Sequence, residues 1–194
     1  LGEEKLAREN LNQATLLKKN YGSAEHMLAA FSGKTTKTAP SDYVEQLFDN
    51  YAANFEHSLV KNLEYKMPKI LVRKILKDNK FSPLGSVIDL GCGTGLLGLE
   101  VKDYCRSLVG VDLSSQMLDE ARKKNIYRNL YKRDITDYLK KECLDFDYFI
   151  LMDVLIYIGD FSNILALIKS RNNRAGKLVF TTEHTNQSNF LLKK

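Results

Sequence analysis

The sequence predicts an α/β fold, a mainly parallel sheet with helices on both faces, preceded by a helical N-terminal extension. Three observations carry that prediction. Short apolar runs rich in β-branched and aromatic residues recur at Val87-Ile88-Asp-Leu90, Leu108-Val-Gly-Val111, Phe146-Asp-Tyr-Phe-Ile-Leu151 and Leu178-Val-Phe180, each the length of a buried strand. Stretches with helical periodicity, Leu96 to Tyr104 among them, lie between the runs, and strands joined by helical crossovers form a parallel sheet covered on both sides. Third, Gly91, Gly93 and Gly95 alternate directly after the first run, where a strand must turn sharply into a helix.

The chain of 194 residues is long enough for one α/β domain of roughly 150 residues and something smaller. Its 44% hydrophobic and 27% charged content is that of an ordinary globular protein. No apolar run approaches the roughly 18 residues of a membrane span, and no secretory signal opens at Leu1, so no membrane partner is expected. Cys92, Cys105 and Cys143 are odd in number with no C-x-x-C pairing, which predicts reduced thiols in a cytoplasm and no metal site. The net charge of +5 is carried by pairs such as Lys18-Lys19, Lys123-Lys124 and Lys140-Lys141. These read as solvated helix faces, so a nucleic-acid partner is not expected.

Residues 1–40 form a helical piece and a linker. Leu6, Ala7, Leu11, Ala14 and Leu17 repeat at helical spacing, with small residues that admit a close helix neighbour. After a break near Asn20-Tyr21-Gly22, a second apolar pattern runs from Ala24 through Met27 and Leu28 to Phe31. The pair resembles parts of adjoining tetratricopeptide units, less than one repeat of about 34 residues, and implies a protein partner docked through these helices; plain helical decoration is the other reading. Ser32 to Pro40 is small and polar and marks a linker. Despite Gly33-Lys34-Thr35 it lacks the earlier glycine and the strand of a phosphate-binding loop. Residues 41–80 are helical. Ser41 or Asp42 is placed to cap a helix through Tyr43, Val44, Leu47, Phe48, Tyr51 and Phe55, with Tyr43 and Phe48 in the core. A further helical stretch, Glu56 to Asn79, is interrupted near Pro68 and packs Ile70, Leu71, Ile75 and Leu76 on the sheet. His26 is read as a surface or packing residue.

Residues 81–194 hold the sheet. Strand, glycine loop and helix N-terminus make a pocket for a polar group that accepts from backbone N–H donors. Gly93-Thr-Gly95-Leu-Leu-Gly98 matches the dinucleotide spacing G-x-G-x-x-G, a weak signal alone, and Gly93 falls late after the strand. Asp89 at the strand's end repels a pyrophosphate but suits an ammonium-bearing cofactor, and S-adenosylmethionine carries one beside its sulfonium. The stretch Asp89-Leu-Gly91-Cys-Gly93-Thr-Gly95 resembles the first motif of class I S-adenosylmethionine-dependent methyltransferases, and Ala39 to Tyr43 through Tyr65 to Pro68 is similar to the domains that follow tetratricopeptide repeats in bacteria.

The resemblance implies a Rossmann-like sheet and S-adenosyl-L-methionine as cofactor. It assigns to the cofactor site Asp89, Gly91, Cys92, Gly93 and Gly95 of the first motif, with Asp112 at the second strand's end gripping the ribose roughly 20 residues on. Leu113 and Met117 follow beside the adenine, after a helix cap at Ser114 or Ser115; Asp134 and Ile135 form the third element, and Met152 the fourth. Tyr51 belongs to a helix folded over the cofactor as a lid. The fifth strand is placed at Lys177 to Glu183, and the strands that usually finish the family's sheet are expected to be missing beyond Asn186.

Methyl transfer needs an aligned nucleophile in a dry pocket; a base is required by a phenol or an acidic carbon and not by a carboxylate. Asp153, Tyr157, His57 and His184 are the candidates near the methyl. No Asn-Pro-Pro-Tyr-like run follows the fourth strand, where Met152-Asp153-Val154-Leu155 stands, so a small-molecule or carrier-bound carboxyl or hydroxyl acceptor is expected. A cofactor-binding docking module and a nicotinamide-dependent oxidoreductase are the alternatives.

Overall fold

The structure is a computed structural model that describes residues 2–19, 21–32 and 38–182. The helices α1 (Gly2–Leu17) and α2 (Gly22–Phe31) form a hairpin, followed by α3 (Ser41–Glu56), a π-helical stretch His57–Asn62 and α4 (Met67–Asp78). Strand β1 (Ser86–Leu90) then leads into α5 (Leu96–Val101), with a closing 3-10 turn Lys102–Tyr104, and β2 (Ser107–Asp112) into α6 (Ser115–Lys123). The rest runs β3 (Asn129–Lys132), α7 (Ile135–Lys141), β4 (Tyr148–Leu151), α8 (Leu155–Ile158), α9 (Ser162–Arg171), β5 (Lys177–Phe180). The five strands are parallel in the order β3-β2-β1-β4-β5. Glu183 and His184, like Lys34, lie outside the described residues.

The sheet is buried on both faces because adjacent strand residues serve opposite cores. Val87 packs with Leu108, Tyr148 and Ile150 under Leu71, Val72, Ile75 and Leu76 of α4 and Leu97 and Val101 of α5. Its neighbour Ile88 joins Leu90, Val109, Val111, Phe149 and Leu151 under Leu139 of α7 and Ile164 and Ile168 of α9. Such side chains contribute roughly 1.5–3 kcal/mol each on full burial. The order reverses direction at β1, so that β2 lies on one side and β4 on the other. The carboxyl ends of β1, β2 and β4 therefore surround one crevice, the position where open α/β sheets bind ligands.

Four local expectations change. Pro68 opens α4 rather than interrupting a helix, since a first-turn residue has no intrahelical N–H bond to lose. Val72 takes the buried place expected of Ile70, which is 55% exposed. Neither Ser41 nor Asp42 caps α3; Asp42 instead accepts from the Ser23 hydroxyl at 2.9 Å, while buried His26 packs on the Tyr43 ring at 4.9 Å. These contacts seat α2 on α3. The end of the expected linker is also structural: Ala39 N–H donates to the Tyr157 carbonyl at 3.1 Å.

Candidate functional site

A cavity of about 490 Å³ fills the crevice, floored by the β1–α5 loop and the ends of β2 and β4 and roofed by α3. After Leu90 the chain passes through Gly91, Gly93 and Gly95 with φ of 82°, 51° and 90°, a left-handed region in which side chains other than glycine are strained. Gly91 and Gly93 line the cavity. A Cβ on Gly91 would meet Val154 at 2.4 Å, whereas one on Gly93 meets nothing within 4 Å. The bare face of Gly93 is thus open space in a tightly packed loop.

Gly95 does not line the cavity. Its Cβ position faces the Tyr127 ring at 3.1 Å; at Gly98 a Cβ would fall 2.5 Å from the Tyr127 hydroxyl, and at Gly110 3.0 Å from the ring. Tyr127 occupies the space at Gly95 and Gly98 and shares that at Gly110 with Leu130 and Cys92. The dinucleotide-like spacing therefore has a packing cause, and Gly98 serves the tyrosine.

Asp89 is 1% exposed at the end of β1 and lines the cavity. The Tyr127 hydroxyl donates to its Oδ2 at 2.7 Å. Burial pushes its pKa up to about 7, with the Asp112 charge adding to the rise and the Tyr127 bond opposing it. Asp112, at the end of β2, is held from both sides: Gly93 N–H donates to Oδ2 at 2.8 Å and Ser114 N–H to Oδ1 at 2.9 Å. Burial raises its pKa against those N–H donors. Each oxygen of such a carboxylate keeps a lone pair for a further donor. Cys92, Leu113, Met117, Asp134, Ile135 and Met152 line the same space, Asp134 also capping α7 through Asp137 N–H at 3.1 Å. Ser114 caps α6, accepting from Met117 N–H at 3.0 Å.

Val44, Leu47, Phe48, Tyr51 and Phe55 of α3 line the roof, with Phe48 edge-on to Tyr157 at 5.2 Å and Tyr51 edge-on to Phe55 at 5.6 Å. Phe48 is therefore a cavity wall rather than core. A second stripe of α3 is acidic and tied to the β2–β3 side. Glu45 pairs with Lys132 at 2.8 Å; Asp49 accepts from the Ser114 hydroxyl and from Gln116 N–H at 3.2 Å. Glu56 pairs with Lys124, which also donates to the Thr94 carbonyl in the glycine loop at 2.6 Å. Although burial alone would raise it, the Lys124 bond holds the Glu56 pKa below the usual range.

At the other end stands Asp153, just after β4, with φ of 57°. Its carboxylate accepts from the Tyr65 hydroxyl and from the Thr181 hydroxyl at 2.6 Å, and its N–H donates to Thr181 Oγ1 at 2.7 Å. Burial and the neighbouring Asp153 raise the Tyr65 pKa. Tyr157 lines this end too, but His57 does not: it is exposed where α3 meets the π-helical stretch. Among the described lining residues there are four aspartates (Asp89, Asp112, Asp134, Asp153) and no lysine, arginine or histidine. Sequence reading missed Tyr65, Thr181, Tyr127 and Asp49. A tyrosine beside Pro68 and a threonine at the end of the fifth strand carry no spacing signal, since their partner is reached only through the fold.

The sheet order, the glycine loop and the two strand-end acids define a class I methyltransferase architecture. Residues 87–174 match the family model described as a methyltransferase domain, and this part of the chain is similar to S-adenosylmethionine-dependent methyltransferases. A probable S-adenosylmethionine-dependent methyltransferase of Saccharomyces cerevisiae is 38% identical over 80 residues, 41% of this chain and 27% of that protein. The ubiquinone biosynthesis O-methyltransferase of Coxiella burnetii is 31% identical over 112 residues, 54% of this chain and 46% of that one. The chain thus spans less than half the length of either relative. Magnesium protoporphyrin IX methyltransferase from Synechocystis PCC 6803 with bound SAH superimposes with a TM-score of 0.56 at 19% identity, covering 69% of this chain and 68% of that one. A DhpI–SAH complex gives 0.60 at 17% identity, over 74% and 70%. These likenesses are of fold.

Proposed function

We propose that the chain transfers a methyl group from S-adenosylmethionine to a small-molecule or carrier-bound hydroxyl or carboxyl acceptor in a cytoplasm. The observation that carries this reading is the placement of Asp89 and Asp112 in one cavity with the bare face of Gly93. A cationic amino-acid end and a ribose fit that donor set: carboxylates for an ammonium and two hydroxyls, backbone without Cβ for close approach, and apolar Leu113, Met117, Ile135 and Met152 for a flat ring. When bound, the cofactor supplies an electrophilic methyl on a sulfonium sulfur. Asp112 would hold the ribose, Asp89 the amino group and Asp134 the adenine amino group. Tyr51, Phe48 and Phe55 exclude water from above, so that orientation of the nucleophile supplies much of the acceleration. Calorimetry on the 194-residue chain tests it: SAM and SAH bind and NAD does not, and NAD binding without SAH binding overturns the reading.

The N-terminal hairpin supports a second role. Leu16 and Leu17 are 82% and 89% exposed, consistent with a tetratricopeptide-like end piece that docks a protein.

A further inference from the structure

We infer that the acceptor is a hydroxyl or amine on an apolar or aromatic body, whose O–H or N–H donates to Asp153, and that carboxylate acceptors are excluded. This deepens the methyltransferase reading and rests on it. Asp153 lines the cavity together with apolar Leu47, Phe48, Phe55, Leu59 and Ile156 and with the Tyr157 ring. Its backbone is in the left-handed region, a conformation Asp tolerates at some cost and that concentrates at functional positions. Two residues distant in sequence, Tyr65 and Thr181, fix its carboxylate, one on each oxygen. Both donate to it, and each oxygen retains a lone pair for one more donor. An acceptor carboxylate offers no such donor and brings like charge against it, in a cavity whose described lining holds four aspartates and no cation.

The step balances simply. A lone pair on the acceptor oxygen or nitrogen forms the new bond to the methyl carbon as the carbon–sulfur bond breaks, its electrons remaining on sulfur. The acceptor's proton passes to an Asp153 oxygen and then to solvent. Asp153 is the catalytic residue in this account, and Tyr65 and Thr181 are positioning residues that act through it.

A matched pair of probes tests the inference without knowledge of the natural acceptor. Calorimetry first confirms SAH binding; its failure overturns the underlying reading rather than the acceptor chemistry alone. The SAH-saturated chain is then titrated at neutral pH with 2-naphthol and with 2-naphthoate, which share an apolar body. Naphthol is expected to bind at least about ten-fold more tightly, a difference that Asp153→Asn reduces while SAH affinity stays within about two-fold. Equal or tighter naphthoate binding, or binding of neither, overturns the inference. Methyl-labelled product from a cell extract gives a second readout: ether and amine methyls survive mild base, and methyl esters release labelled methanol. Retained label that Asp153→Asn lowers about 100-fold, the lower end of a general base's contribution, with recovery as pH rises, supports the assignment. Release as methanol overturns it, as does SAH binding with no transfer to any fraction.

Discussion

Two side chains set the proposed cofactor end of the site, and each gives a separable outcome. Asp112 spends one lone pair of each oxygen on backbone N–H groups of Gly93 and Ser114, so on the proposed reading its removal deprives the ribose of an acceptor and frees the glycine loop at once. Asp112→Ala is expected to weaken SAH binding by roughly 1.5–3 kcal/mol, the scale of hydrogen bonds to a charged group; calorimetry with unchanged affinity would refute the assignment. Tyr127 acts one step back. It fills the space left by Gly95 and Gly98, and its hydroxyl is the donor to buried Asp89. Tyr127→Phe retains the ring and deletes the donor, so Asp89 becomes harder to ionise. SAH affinity should then fall at pH 7 and recover toward pH 9, while thermal stability changes little. A loss of affinity independent of pH would mean that the tyrosine matters only for packing.

At the scale of elements, α3 is a strap with two working faces: aromatic residues toward the cavity, and Glu45, Asp49 and Glu56 toward Lys132, the start of α6 and Lys124. Single exposed ion pairs contribute at most about 1 kcal/mol, but these share one helix and hold it over the mouth of the pocket. Lys124→Met should raise the SAH dissociation rate several-fold with little loss of thermal stability, and raised salt should do the same to the unmodified chain. Stopped-flow displacement of SAH reads both, and rates unmoved by either would show that α3 does not retain the ligand. The aromatic face was legible in the sequence because its spacing is local, as were β1, β2 and the α6 cap, whose signals lie within a few residues. The acidic face was not: Asp49 meets Ser114 65 positions away, and Tyr65 meets Asp153 88 positions away. The same blindness assigned Gly95 to a ligand when a tyrosine downstream claims the space, and His57 to the site when it stands exposed at the end of α3.

For the whole molecule, the cavity couples stability to charge. Asp89 has a folded-state pKa of about 7, above the roughly 4 of an unfolded aspartate. Between those values the folded chain holds a proton that the unfolded chain has lost, so this group's contribution is full below pH 4 and is lost as pH rises through 7. The lowered pKa of buried His26 works the other way, favouring the fold above about 6.5 and opposing it as pH falls. Comparison with Asp89→Asn separates the two: the unmodified chain without ligand should lose thermal stability from pH 5 to pH 8 relative to the variant. A bound cation reverses the sign for Asp89, since an ammonium beside the carboxylate favours its ionised form. SAH, which retains the amino group, should therefore bind more tightly at pH 8 than at pH 5.5, and should erase the difference between the two melting profiles in the unmodified chain. If SAH affinity is flat across that range, the proton on Asp89 is not exchanged for the ligand's charge, and the amino group is held elsewhere in the crevice.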